Sequence, residues 1–181
     1  MGKIIFLLGG ARSGKSKYAV SLAKKVAKNV AFIATCVCPD EEMKERIKLH
    51  QTLRPRHWKL IEEGRNINSV LVNLKNKYEM VLIDCLGLWI SNLLADNLDD
   101  KKIEAKMKKL INAILKVKLT TIVVSNEVGS GIVPNNPLAR RFRDLLGLAN
   151  QMIAKKAGKV ILMQSGIPII IKGEKKDAKV E

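Results

Sequence analysis

Short, continuous apolar runs alternate along this chain with longer stretches in which apolar residues recur every three or four positions. Runs of the first kind predict buried strands, and stretches of the second kind predict amphipathic helices. The predicted strands are residues 3–8, 30–35, 58–61, 78–84, 120–125, 159–164 and 167–172. The predicted helices are a segment starting at 15, then 40–51, 67–75, 89–94, 101–117 and 137–157. This alternation predicts an α/β fold with a mostly parallel sheet and helices on both faces.

The last two strands are separated only by Ser165 and Gly166, so we expect them to form a C-terminal antiparallel hairpin. The chain has 181 residues, which suits one domain with its own core. We therefore predict a single domain over residues 1–172 and a charged, frayed tail over residues 173–181. The apolar run Ile4–Leu8 is too short for a signal sequence or a membrane span.

Charge and cysteine content narrow the functional classes. The formal net charge of +16 allows a polyanionic partner, but the lysines are spread along the chain and favour a solvated surface. Aromatic residues make up only 4%, so stacking platforms for nucleic acid are scarce. The three cysteines (Cys36, Cys38 and Cys85) do not suit a disulfide framework, and we interpret them as reduced residues of a cytoplasmic protein.

One motif carries specific chemistry. Residues 9–16 read GGARSGKS and match G-x-x-x-x-G-K-[ST] at every fixed position, between a predicted strand and a predicted helix. The glycines let backbone N–H groups turn toward phosphate oxygens, and the helix N-terminus adds its positive dipole end. Lys15 can reach the β- and γ-phosphates, and the Ser16 hydroxyl can bind Mg²⁺. The motif predicts a P-loop that binds a nucleoside triphosphate.

Two carboxylates follow predicted strands, at the edge where α/β sheets bind ligands. Asp84 is the candidate partner for Mg²⁺, and capping of the following helix is its alternative role. Glu127 either faces the same crevice or caps the next turn. No Asn-Lys-x-Asp guanine-reading element is present, so the P-loop alone does not choose between ATP and GTP.

The two histidines are candidates for a second chemistry. A neutral imidazole is a competent nucleophile at phosphorus, although a lone histidine on an apolar helix face is more often a packed core residue. His50 has Lys48, Arg54 and Arg56 nearby in the sequence, and these could neutralise phosphate charge. His57, beside Trp58, is interpreted as structural.

Four segments resemble the bifunctional adenosylcobinamide kinase and adenosylcobinamide-phosphate guanylyltransferase family. They are the P-loop; residues 33–35 followed by RIKLHQTLRPRHW at 46–58; the strand ending at Asp84 with 92–94; and SNEVGSGIVPNNPLARRFRDLLGLANQ at 125–151. The resemblance spans almost all of residues 3–172, and the fourth segment is unusual among P-loop proteins.

The resemblance implies a three-layer, RecA-like P-loop fold and a homo-oligomer that uses GTP and ATP as substrates with Mg²⁺. The implied reactions are phosphorylation of adenosylcobinamide and then transfer of GMP from GTP to the product through a GMP–histidine intermediate. His50 is the implied nucleophile, and Lys15 is the other implied catalytic residue.

Residue by residue, the resemblance assigns nucleotide contacts to many positions and metal contacts to Ser16 and Asp84. The nucleotide contacts are Gly9, Gly10, Ala11, Arg12, Ser13, Gly14, Lys15, Ser16, Ile33, Ala34, Thr35, Gln51, Thr52, Leu53, Arg54, Glu62 and Asp84. Some family members have adjacent histidines, whereas Leu49 precedes His50 here, so a monofunctional P-loop kinase is the alternative. An ATPase stimulated by nucleic acid is a second alternative, although we expect no nucleic-acid partner.

Overall fold

The computed structural model describes residues 2–36 and 54–173. The strands are β1 (Lys3–Gly9), β2 (Val30–Ala34), β3 (Lys59–Glu62), β4 (Met80–Asp84), β5 (Thr120–Val124), β6 (Lys159–Gln164) and β7 (Ile167–Lys172). The helices are α1 (Lys15–Val26), α2 (Ile67–Leu74), α3 (Leu86–Ala95), α4 (Asp100–Lys116) and α5 (Pro137–Lys156).

The strands form one sheet in the order β3-β2-β4-β5-β1-β6-β7. Every neighbouring pair is parallel except β6 and β7, which are antiparallel. The predicted parallel sheet and C-terminal hairpin are therefore confirmed, with the turn at Ser165 and Gly166. Both turn residues have positive φ, 50° and 84°, which suits glycine at the second position.

Helices cover both faces of the sheet, as predicted. On one face, α1 packs through Ala19, Val20 and Ala23 against strand residues such as Leu82 and Ile122. On the other face, buried residues of α2, α3, α4 and α5 pack together over the opposite side chains of the same strands. The strands are apolar on both sides because each side faces helices.

Side-chain caps mark the starts of the two longest helices. The carboxylate of Asp99 accepts a hydrogen bond from the N–H of Lys102 at 2.8 Å and caps α4. The side chain of Asn136 accepts one from the N–H of Ala139 at 3.1 Å and caps α5, which has Pro137 in its first turn. These caps fix where the loops that precede α4 and α5 end.

The predicted boundaries differ from the structure mainly at α3, which begins at Leu86 and not at residue 89. Its first residues, Leu86–Gly87–Leu88, come soon after the apolar residues of β4 in the sequence and have no helical periodicity of their own. A Cβ at Gly87 would make only ordinary van der Waals contacts, 3.6 Å from Asn126 Oδ1 and 3.7 Å from Leu146 Cδ2, so the packing there does not require glycine. The helix predicted over 40–51 lies outside the described residues, as does the tail from residue 174 onward.

No helix in the described ranges is both long enough and apolar enough to cross a membrane.

Candidate functional site

A single row of paired residues runs across the carboxyl ends of the parallel strands. Glu62 pairs with Ala34, Ala34 with Asp84, Asp84 with Val124, and Val124 with Leu7. Residues beyond this row emerge at the edge of the sheet where α/β folds bind ligands. Those predicted site residues that the structure describes therefore lie along one edge of the sheet, but they are spread across five strands.

The predicted P-loop joins β1 to α1 as a tight bend. Arg12 and Gly14 have φ of 54° and 86°, and Gly14 occupies the N-cap position of α1. Within residues 2–36 and 54–173, the N–H groups of Ala11, Arg12 and Gly14 have no hydrogen-bond partner. The first N–H groups of α1 also lack partners inside the helix. The bend is therefore a cluster of unused donors at the positive end of a helix, an arrangement that binds anions.

Glycine at position 9 is required by close packing. The φ of Gly9 is not positive, so a left-handed backbone conformation is not the reason. A Cβ at this position would overlap the Ser13 hydroxyl and lie 2.8 Å from the carbonyl oxygen of Met163 on β6. The Ser13 hydroxyl is buried and has no partner among the described residues. An unpaired buried hydroxyl costs free energy, so a ligand oxygen in the bend would relieve it.

The Lys15 ammonium group points back into the bend. Its Nζ donates a hydrogen bond of 2.9 Å to the carbonyl oxygen of Gly10. Burial lowers the pKa of Lys15 below its ordinary value of 10.5, and the nearby charge of Asp84 partly opposes that shift. Lys15 is thus a partly buried cation within the electrostatic influence of Asp84. A phosphate oxygen could replace the Gly10 carbonyl oxygen as its hydrogen-bond acceptor.

Asp84 is the last residue of β4, two strands away from β1. Cys85, and not Asp84, occupies the N-cap position of α3. Burial raises the pKa of the Cys85 thiol to about 12, so this thiol is neutral near pH 7. Asp84 is therefore the acidic side chain that β4 delivers to the site.

Thr35 ties the ends of β2 and β4 together. Its Oγ1 donates to the carbonyl oxygen of Cys85 at 2.7 Å and accepts from the N–H of Cys85 at 2.8 Å. The side chain of Asn92 donates to the carbonyl oxygens of Thr35 and Gly64, at 2.7 Å and 3.1 Å. These bonds position Asp84. They also occupy the Thr35 hydroxyl, and the N–H of Thr35 donates to the carbonyl oxygen of Asp84 at 3.1 Å.

Ile33 has a similar limit, because its side chain is buried in the core and completely inaccessible. The carbonyl oxygen of Ala34 accepts a hydrogen bond from the N–H of Glu63 at 2.9 Å. Ile33 and Thr35 are both completely inaccessible among the described residues, so their predicted nucleotide contacts stay predictions.

Arg54 and Glu62 form a separate group at the β3 edge. The Arg54 guanidinium lies over the Phe32 ring, 5.1 Å from its centroid. Burial lowers the pKa of Arg54, while the charge of Glu62 opposes the shift. Glu62 is four strands from β1, about 19 Å away at the usual strand spacing. Glu62 and the P-loop therefore lie far apart along this edge of the sheet.

The carboxylate of Glu127 caps the turn that follows β5, which is one of the two roles predicted for it. Its N–H donates to the carbonyl oxygen of Gly9 at 3.0 Å, so its main chain lies beside the P-loop. Its carboxylate accepts the N–H of Gly129 and closes the turn that follows β5. Close by, the buried hydroxyl of Ser125 donates to Asn150 Oδ1 at 2.6 Å, and Asn150 Nδ2 donates to the carbonyl oxygen of Asn126 at 3.0 Å.

The remaining predicted site residues, His50, Gln51, Thr52 and Leu53, lie outside the described residues. His57 is exposed, next to the buried Trp58. Sequence reasoning did not identify the roles of Cys85, Asn92 and Asn150, because their partners lie 24 to 57 residues away. Asn92 and Asn150 do fall inside segments that carry the family resemblance, which was the available signal.

Comparison with known proteins was made for the whole chain. A protein-family model described as "Cobinamide kinase / cobinamide phosphate guanyltransferase" matches residues 5–171. The chain is 38% identical to the bifunctional adenosylcobalamin biosynthesis protein CobP of Pseudomonas aeruginosa, with 93% of this chain and 96% of that protein covered. It is also 38% identical to the bifunctional adenosylcobalamin biosynthesis protein CobU of Escherichia coli K12, with 93% and 99% covered.

Among solved structures, the chain resembles a KaiC-like protein from the archaeon Pyrococcus horikoshii OT3. The TM-score is 0.57 and the identity 14%, with 99% of this chain and 83% of that chain covered. At this identity the likeness concerns the fold, and it agrees with the predicted RecA-like α/β architecture.

Proposed function

The chain belongs to the family of bifunctional cobinamide kinases and cobinamide phosphate guanylyltransferases of adenosylcobalamin biosynthesis, and we propose that it divides the two reactions between two groups of residues. The P-loop at residues 9–16, with Asp84, holds the triphosphate during phosphorylation of cobinamide. The group at the ends of β2 and β3, with His50, serves guanylyl transfer. The separation of about 19 Å between β1 and β3 supports this division.

The kinase assignment depends on one observation above all. The N–H groups of Ala11, Arg12 and Gly14 have no partner in the described ranges, and they lie beside the Lys15 ammonium group. When the acceptor hydroxyl attacks the γ-phosphorus, the bond from that phosphorus to the β-phosphate oxygen breaks. Such transfer is promoted mainly by positioning and by neutralising charge, which these donors and Lys15 supply.

A magnesium ion fits the oxygen donors near the P-loop. Mg²⁺ prefers hard oxygen ligands, keeps several waters and commonly takes one or two groups from the protein. The hydroxyl of Ser16, in the first turn of α1, and the carboxylate of Asp84 are such groups. We propose that these two residues hold Mg²⁺, which would neutralise charge on the nucleotide phosphates.

Guanylyl transfer is assigned to His50 on the family resemblance. A ring nitrogen attacks the α-phosphorus of GTP, the bond to the β-phosphate breaks, and pyrophosphate leaves. A phosphate oxygen of cobinamide phosphate then attacks the same phosphorus and releases the histidine. His50 precedes Arg54 by four residues in the chain. We propose that Arg54 and Glu62 bind the nucleotide at the end of β2, next to Ile33, Ala34 and Thr35.

The substrates of the proposed enzyme are adenosylcobinamide, ATP or GTP for the kinase step, and GTP for the second step. We also propose a homo-oligomer, as the family resemblance implies. The edge strand β7 supports this, since Ile167, Ile169 and Ile171 are all exposed on it. Light scattering of the purified protein measures the mass directly, and a monomer at working concentration would contradict this part of the proposal.

Two variants test whether the two reactions depend on separate groups of residues. The protein is incubated with GTP carrying a radioactive α-phosphate, and acid-labile label on the chain is counted. Phosphorylation of cobinamide is measured in parallel. We expect His50→Ala to lose the covalent label but keep cobinamide phosphorylation, because the P-loop is unchanged.

His57→Ala is the matched control, since it removes the other histidine of the chain and should keep both activities. Label that survives in His50→Ala would contradict the assignment of the nucleophile. Loss of both activities in a folded His50→Ala protein would contradict the separation of the two groups.

A further inference from the structure

The loop between β5 and α5, residues 125–136, exposes aliphatic side chains to an unusual degree. Ile132 is 97% exposed and Val133 is 64% exposed, and Leu138 at the start of α5 is 58% exposed. Single exposed apolar residues are common, whereas contiguous exposed apolar patches mark interaction sites. Loops held on a rigid scaffold are also where binding residues concentrate.

This loop is held by hydrogen bonds on both sides of the aliphatic pair. Arg143 Nη2 donates to the carbonyl oxygen of Gly129 at 2.6 Å. Arg140 Nη1 donates to the carbonyl oxygens of Pro134 and Asn135, at 3.0 Å and 2.7 Å. Two arginines of α5 therefore fix the main chain before and after residues 132 and 133, which are presented to solvent from a braced backbone.

The loop starts at the phosphate-binding bend. The N–H of Ser125 donates to the carbonyl oxygen of Leu7 at 2.8 Å, and that of Glu127 donates to Gly9 at 3.0 Å. Ile132 follows Glu127 by five residues, which span at most about 18 Å when fully extended. The aliphatic pair therefore lies within the reach of a large substrate whose reacting group is at the P-loop.

We propose that Ile132 and Val133 bind the corrinoid ring system of the acceptor substrate. This inference rests on the proposed function, because it assumes that cobinamide presents its hydroxyl to the nucleotide at the P-loop. A corrinoid carries methyl groups and amide side chains around its perimeter. Aliphatic side chains suit the methyl groups, and the exposed amide of Asn135 suits the amide side chains.

The proposal also accounts for the combination of exposure and bracing. Burying one aliphatic side chain of this size on binding is enough to change affinity about tenfold. A loop already held by Arg140 and Arg143 would lose little freedom on binding, so more of that gain would appear as affinity. An unbraced loop would lose part of the same gain to ordering.

The test is the double variant Ile132→Ser/Val133→Ser, compared with Val72→Ser. Val72 lies on α2 and is also 64% exposed, so it matches Val133 in residue type and exposure. Equilibrium dialysis measures cobinamide binding through its visible absorbance, and a titration measures GTP binding. The kinase assay gives the KM for cobinamide at saturating nucleotide, and light scattering gives the mass.

We expect the double variant to weaken cobinamide binding and raise its KM about tenfold or more. GTP affinity, kcat at saturation and mass should not change, and Val72→Ser should behave as the unaltered protein. Unchanged cobinamide binding in the double variant would overturn the proposal. A changed mass would also overturn it and assign the aliphatic pair to contact with a second copy. Failure of the unaltered protein to phosphorylate cobinamide would instead overturn the proposed function, together with this assignment.

Discussion

The N–H of Gly166 donates a hydrogen bond of 3.1 Å to the carbonyl oxygen of Ser13. Gly166 belongs to the β6–β7 turn, whereas Ser13 lies in the P-loop, more than 150 residues earlier. A Cβ on Gly14 would lie 3.5 Å from the Cα of Gly166, so the two bends are in contact. The C-terminal hairpin is therefore part of the support for the P-loop bend.

Packing around the bend predicts different outcomes for alanine substitutions at two adjacent glycines, Gly9 and Gly10. In Gly9→Ala the new methyl group would overlap the Ser13 hydroxyl and approach the main chain of Met163. We expect displacement of the bend and a loss of nucleotide affinity of at least about tenfold, corresponding to about 1.4 kcal/mol. Titration with a fluorescent GTP analogue measures the change.

Gly10→Ala is the control for this substitution, since a Cβ there meets nothing within 4 Å. Its affinity for the analogue should remain close to that of the unaltered protein. Equal losses in the two variants would show that flexibility, and not close packing, is what the bend requires.

Lys15→Ala should weaken nucleotide binding and turnover. A hydrogen bond from a charged donor contributes about 1.5–3 kcal/mol, so kcat/KM should fall about tenfold to 150-fold. Steady-state hydrolysis and phosphorylation assays measure the loss. Lys17→Ala removes an exposed lysine two residues later and should leave both values unchanged. If Lys15→Ala kept full turnover, the assignment of the P-loop as the phosphate site would be wrong.

The buried polar contact behind the β5–α5 loop predicts a stability change. Asn150→Ala would leave the Ser125 hydroxyl and the Asn126 carbonyl oxygen without their present partners. We expect the free energy of unfolding to fall by about 1–3 kcal/mol, measured by urea denaturation. Gln151→Ala, at an exposed neighbouring position, should change it by less than about 0.5 kcal/mol. Similar values for the two variants would mean that solvent replaces the lost bonds.

Glu79 predicts a pH dependence of stability. Its carboxylate accepts the N–H groups of Lys28 and Asn29 at 2.7 Å and 3.2 Å, and these bonds lower its pKa below the ordinary value of 4.5. A depressed pKa in the folded state means that the charged form stabilises the fold above the unfolded pKa. That stabilisation is lost as the pH falls through the folded pKa.

The substitution Glu79→Gln, which keeps an acceptor oxygen but removes the charge, should therefore lower the Tm near pH 7. The difference in Tm from the unaltered protein should shrink as the pH falls through the folded pKa of Glu79, because the side chain is then neutral in both proteins. Thermal denaturation followed by circular dichroism over a range of pH values measures it. A difference in Tm that did not vary with pH would exclude the charge as its cause.

The sequence was sufficient for features that depend on neighbouring residues. The P-loop could be predicted because glycine spacing, lysine and serine all act within one bend. Asp84 could be predicted because it directly follows an apolar run that ends at the binding edge. The start of α3 at Leu86 could not, because its first turn has no periodic pattern to distinguish it from the preceding strand.

Features that join distant segments were not predictable. Nothing in the sequence around Thr35 indicates that its hydroxyl will donate to the carbonyl oxygen of Cys85 and accept from the N–H of Cys85. That pairing follows from β2 lying beside β4. Glu62 was assigned with the other nucleotide contacts by resemblance, and only the strand order shows how far it lies from the P-loop. The predicted roles of His50, Gln51, Thr52 and Leu53 stay predictions.

The position of β5 between β1 and β4 sets a fixed length in the site. Val124 pairs with Leu7 on one side and with Asp84 on the other, which separates these two backbones by about 9.6 Å. This gap is held by the hydrogen-bond lattice of the sheet and not by side-chain conformation. A longer or shorter acidic side chain at position 84 would therefore change only how far the carboxylate reaches across the gap. Sliding β4 by one position would instead turn the carboxylate to the opposite face of the sheet.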